Sequence, residues 1–117
     1  MKRAHHACLV DEETSTIHVM GGRGDTSTEK WTFGTDSWGF GANLPEPVIN
    51  SAAVKSNSEE NIGYLVGGEL SEVGATSKVW SLSRRGMRWI EEESKRLKTP
   101  RSEHTVVNIP GYQILRC

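Results

Sequence analysis

The stretch Ile17-His18-Val19-Met20-Gly21-Gly22 returns 46 residues later as Gly63-Tyr64-Leu65-Val66-Gly67-Gly68, a short apolar run closed by a glycine pair. Periodicity on this scale marks a repeat architecture, because a unit too small to bury its own apolar face must stack on a neighbour. After each glycine pair come a polar loop, a second apolar run and a tryptophan, Trp38 and then Trp89, 51 residues apart. Upstream, Arg3-Ala4-His5-His6 matches Arg101-Ser102-Glu103-His104 as R-x-x-H at a distance of 98 residues, two periods of about 49. Val48-Ile49-Asn50-Ser51 stands at the same phase between them without the arginine or the histidine, and Pro47 and Pro100 precede their repeats at the same offset.

Each period divides into short runs with β-branched and aromatic residues, separated by turn formers. The first unit predicts strands over residues 6–10, 17–20, 29–33 and 37–40, the second over 52–55, 62–66, 78–82 and 87–90. Residues 11–15 and 56–61 read as matching polar hairpin connections. Segments of this length with such links build antiparallel meanders rather than βαβ units. Residues 91–98 carry opposite charges three and four apart but one apolar side chain, Leu97, and read as a solvated connection with one helical turn. The expected fold class is all-β: one four-stranded antiparallel unit over 3–47, a second over 48–99, and the start of an incomplete third over 100–117. There Gly111-Tyr112-Gln113-Ile114-Leu115 echoes residues 63–66, but Leu115-Arg116 stands where two glycines are expected.

This pattern resembles the kelch repeat family, whose units run from R-x-x-H through a strand ending in Gly-Gly and a strand with an aromatic residue to a tryptophan before a Leu-Pro turn. The glycine pairs here are Gly21-Gly22 and Gly67-Gly68, the third-strand aromatics Trp31 and Trp80, the fourth-strand tryptophans Trp38 and Trp89, and the first unit closes on Leu44-Pro45. In the second unit Leu97-Lys98-Thr99-Pro100 spreads that turn. The resemblance covers nearly the whole chain and implies a partial β-propeller of about two blades plus the first strand of a third. Four to eight such blades close a ring, roughly 200 to 390 residues at this period, so the expectation is a longer parent chain. The residue types also make sense without the family name. A glycine pair permits positive φ and close approach of a neighbouring sheet, and a tryptophan fills the gap between sheets.

The function expected from the resemblance is that of a protein-interaction module rather than an enzyme. In kelch-like proteins such modules belong to adaptors that present substrates to ubiquitin ligases and to proteins that bind actin. Two alternatives stay open: an extracellular adhesive protein, and a fragment of a copper enzyme similar to galactose oxidase, for which Tyr64 and Tyr112 are the available tyrosines. Partner-binding candidates are the loops after the glycine pairs, with Arg23, Gly24 and Asp25 in the first and Glu69, Leu70 and Glu72 in the second, both expected on one rim. Arg23-Gly24-Asp25 also spells the tripeptide that many integrins recognise, a role requiring an extracellular address.

Other chemistry finds little support. Hydrophobic residues make up 35% of the 117-residue chain and charged ones 25%, a soluble globular composition, and no run approaches the roughly 18 apolar residues of a membrane span. A net charge of -1 from 14 basic and 15 acidic side chains gives no footprint for nucleic acid. Cys8 and Cys117 have no metal-like spacing and read as reduced thiols, while His5, His6, His18 and His104 read as structural or surface residues. No cofactor is expected: G-x-S-x-G, P-loop and H-E-x-x-H patterns are missing, and Gly22-Arg23-Gly24 falls short of a dinucleotide fingerprint.

Overall fold

Residues 3–101, except 4, 23, 36, 71 and 72, are described by the computed structural model. The expected third unit, with His104, Tyr112 and Cys117, therefore lies outside the described residues, apart from its first two positions.

The chain is all-β. β1 (Ala7–Asp11), β2 (Thr16–Met20), β3 (Thr28–Thr32) and β4 (Trp38–Phe40) form an antiparallel meander in sequence order. After a two-residue strand, β5 (Val48–Ile49), a second four-stranded antiparallel sheet is built from β6 (Ala52–Lys55), β7 (Asn61–Val66), β10 (Val79–Ser83) and β11 (Arg88–Glu91), in the order β11-β10-β7-β6. The expected strands recur with ends displaced by at most one residue. A bulge between Leu82 and Ser83 shifts the β7–β10 register. One turn of 3-10 helix, Glu93–Lys95, buries no side chain and lies within the connection over 91–98.

A third sheet departs from the sequence reading. The loop after the second glycine pair folds as β8 (Glu69–Leu70) and β9 (Gly74–Ala75), and β8 pairs with β5. Strands of two residues carry no period, so their pairing leaves no mark in the sequence.

The pleat decides which side chains are buried. β1 buries Ala7, Leu9 and Asp11 and exposes Cys8 and Val10; β2 buries Thr16, His18 and Met20. The buried face of the first sheet packs on one face of the second in a core that includes Leu9, Met20, Leu65, Trp80, Leu82 and Trp89. The opposite face of the second sheet buries Val54, Tyr64, Val66 and Val79, with Leu97 against them.

Both glycine pairs take positive φ, from 63° at Gly67 to 109° at Gly68. In each case the next unit's first residues close on them: the Gly22 amide donates to the Val48 carbonyl at 3.0 Å, and the Gly68 amide to the Arg101 carbonyl at 2.7 Å. A β-carbon on Gly21 would lie 2.6 Å from the Val48 oxygen. The Leu-Pro turns agree as well, since the Leu44 amide donates to Thr26 and the Leu97 amide to Ser77, each at 2.8 Å.

The tryptophans separate what the sequence treats alike. Trp38 lies opposite Trp31, and Trp89 opposite Leu82, at corresponding places in the two sheets. Trp31 faces Ile17 across β2, whereas Trp80 faces Leu65, so counted from the glycine pairs the third-strand aromatics sit two residues apart. Trp89 fills the space between the sheets as expected, at 7% exposure. Trp38 does not: it is 53% exposed and Phe40 is 67% exposed, because the sheet face they share with Trp31 is the one turned away from the second sheet. The Trp31 and Trp38 rings contact each other instead, their centroids 5.6 Å apart and planes inclined by 60°.

Candidate functional site

The two loops expected to share a rim do meet. Gly24 from the first, Glu69, Leu70, Val73 and Gly74 from the second, and the Pro47–Ile49 segment between them line a groove of about 490 Å³. Leu70 is buried in its floor, and Val73 stands at the edge, 76% exposed. The β5–β8 pairing fixes this arrangement, with Val48 opposite Leu70 and Ile49 opposite Glu69. Glu69 is held by the Asn50 side-chain amide at 3.2 Å. Asp25 turns back into its own loop, its Oδ1 accepting from the Ser27 amide at 3.1 Å and the Ser27 hydroxyl at 2.7 Å. Arg23 and Glu72 lie outside the described residues. Val73 and Gly74 belong to the second loop already expected on this rim; Pro47, Val48 and Ile49 are the lining residues that the sequence reading does not name as partner-binding candidates.

A second polar centre lies between the two large sheets. Asp11, which the sequence places at the start of a polar hairpin connection, is the last residue of β1 and 3% exposed. Arg84, in the turn between β10 and β11, grips it with both terminal nitrogens, Nη1 to Oδ2 at 2.9 Å and Nη2 to Oδ1 at 3.1 Å. The Thr14 hydroxyl donates to Oδ2 at 2.7 Å, and the Glu13 amide to Oδ1 at 3.2 Å. Burial would push the Asp11 carboxyl up, but the Arg84 and Thr14 hydrogen bonds and the Arg84 charge outweigh it and hold the carboxyl below its ordinary 3.8. A bidentate arginine–carboxylate pair fixes orientation as well as charge, and here it ties the end of β1 to the β10–β11 turn.

Beside it His18 is 5% exposed and its Nε2 has no hydrogen-bond partner among the described residues. Burial lowers its pKa from the ordinary 6.5; Asp11 opposes the change, and Lys30 and Arg84 reinforce it. Above pH 6.5 the imidazole is neutral folded or unfolded and adds nothing. As pH falls below 6.5 the unfolded chain takes up the proton first, so stability is lost. Urea midpoints are therefore expected to fall between pH 7.5 and 5.5, with a slope of at most about 1.4 kcal/mol per pH unit for one proton. In His18→Gln that portion of the slope disappears; an unchanged pH profile in the variant contradicts the assignment.

Of the two tyrosines considered for copper chemistry, Tyr64 is buried in the core of the second sheet, 5% exposed. Among the described residues no three His, Cys, Asp or Glu side chains gather as a metal-binding group, and no helix is long and apolar enough to cross a membrane. Cys8 is a free thiol on the outer face of the first sheet. No family model matches the chain, and no curated protein gives a significant match.

Proposed function

We propose that the chain is a stretch of a kelch-type β-propeller whose work is to bind another protein through the loops at one rim. The observation that carries this reading is the meeting of the two post-glycine loops in one groove, floored by Leu70 and edged by the exposed Val73. Loops carried on rigid sheets are the usual seat of recognition, and a partly apolar groove with an exposed aliphatic edge suits an apolar side chain of a partner protein. The matched placement of Trp38 and Trp89, and of the two glycine closures, supports successive blades of one repeat. On this reading the uncovered face around Trp38 and Phe40 receives a further blade of a longer parent chain, and substrate presentation or cytoskeletal attachment are the roles the parent would serve.

The test uses the chain as bait beside two variants, Val73→Asp in the groove and Glu59→Lys in the distant 56–61 turn. A charge at a buried interface anchor lowers retention of a specific partner more than tenfold. The expected result is loss with Val73→Asp, no change with Glu59→Lys, and the same thermal unfolding for all three. Equal retention by Val73→Asp removes the groove from the interface.

A further inference from the structure

The cleft between the two large sheets holds more positive charge and more hydrogen-bonding capacity than the chain itself uses. It measures about 310 Å³ and is lined by Asp11, Thr14, Thr16, His18, Lys30 and Thr32 from the first sheet and by Arg84, Ile62 and Met87 from the second. Asp11 is already neutralised, since both terminal nitrogens of Arg84 are committed to it. That pairing leaves the Arg84 Nε–H buried without a partner, and His18 Nε2 is in the same position. Lys30 lies directly opposite His18 across the β2–β3 ladder and makes no ion pair or hydrogen bond among the described residues. The Thr32 hydroxyl has one side-chain contact there, a long 3.4 Å approach to Thr16.

One cation is thus left over, flanked by a weakly engaged hydroxyl and two buried nitrogens that have no partner among the described residues, and buried polar groups without partners are rare enough to require an explanation. We infer that the cleft is a binding site for a tetrahedral oxyanion of the phosphate or sulfate type, held by Lys30, the Arg84 Nε–H, His18 Nε2 and the Thr32 hydroxyl. These donors come from three elements, β2, β3 and the β10–β11 turn, and a tetrahedral group offers more acceptor oxygens to share among them than a planar carboxylate does. The groups facing His18 are Asp11 from the end of β1, Lys30 from β3 and Arg84 from the second sheet, with Glu13 beyond, 3.4 Å from Arg84. A dianion among them favours the imidazolium, so binding takes up a proton and strengthens as pH falls.

Sulfate is the first probe, because it stays doubly charged from pH 6 to 7.5 and any pH dependence then belongs to the protein. The full chain is titrated at constant ionic strength, chloride replaced by sulfate, while the His18 imidazole nitrogens are followed by NMR. The expected result is a saturable shift, tighter by up to about tenfold per unit of falling pH for one coupled proton. Lys30→Gln is expected to weaken binding at least about tenfold, the loss of one charge-assisted contact, and Lys30→Arg to retain it. O-phospho-L-serine is the second probe: equal affinity assigns the site to free ions, tighter binding to a phosphorylated side chain of a partner. Non-saturable shifts, shifts reproduced by chloride, or Lys30→Gln binding like wild type would overturn the inference.

Discussion

Gly68→Ala is expected to cost about 4 kcal/mol, most of the stability of a chain at the low end of the ordinary range of about 5–15 kcal/mol. Two costs add. Gly68 sits at a φ of 109°, where an L side chain is strained whatever the space around it. Its β-carbon would also press on the Ser51 hydroxyl, lie 2.7 Å from the Ile49 carbonyl oxygen and 2.8 Å from Val48 Cγ2. Two of those contacts are with the β5 segment, and Ser51 is not free to swing away, because its hydroxyl donates to the Gly67 carbonyl at 2.7 Å. Gly74→Ala is the control: it shares a positive φ of 84° but meets nothing within 4 Å, so it carries the conformational cost alone, about 1 kcal/mol. Urea denaturation of the two variants measures the difference, and equal losses would show that crowding against β5 contributes nothing.

Arg84→Ala comes next, with an expected loss of about 3 kcal/mol. Removing one partner of a buried pair strands the other, and Asp11, 3% exposed, is the one left without its counter-charge. The figure lies at the low end for such pairs because the Arg84 side chain is 27% exposed and already partly solvated. The loss should shrink as pH drops below 3.8. Above that value the depressed Asp11 pKa contributes stability, and on acidification through it that contribution disappears in wild type while the variant has little left to lose. Asp11→Ala combined with Arg84→Ala should cost less than the two single losses together, by 1 kcal/mol or more, as contacting residues of one network do. Additive losses would mean that the two side chains do not depend on each other.

What could be read from sequence follows from how each feature is encoded. The glycine pairs and the apolar runs that lead into them are local signals, and each run lies on a strand that ends at its glycine pair, β2 and β7. Trp38 and Trp89 were read as equals, and their registers are equal; burial separates them because Trp89 has a sheet to pack on and Trp38 does not. Trp31 and Trp80 both lie on the third strand of their sheets as expected, but two residues apart in register, because residue type alone does not carry the count from the glycines that fixes the pleat. The Asp11–Arg84 pair was invisible for another reason. It joins the end of β1 to a turn 73 residues further on, and a carboxylate in Asp11-Glu12-Glu13 has no local mark to separate it from its solvated neighbours. The rim groove was half legible: its loops were named, but the β5–β8 pairing that brings them together depends on two-residue strands.

The closure of each glycine pair by the following unit also bears on how the chain is made. Gly22 finds its acceptor only at Val48, and Gly68 only at Arg101. On a ribosome adding 5–20 residues per second, roughly 1–5 s separate Gly22 from Val48, and the wait between Gly68 and Arg101 is slightly longer. Late in each interval, once β4 or β11 has been added, a nascent sheet has its strands but not its seal, so chaperone access during synthesis should come in two pulses rather than one. A ribosome paused when β4 has left the exit tunnel and Val48 is still inside it would hold the first sheet open, and synonymous changes at the codons read then should alter solubility without altering a single residue.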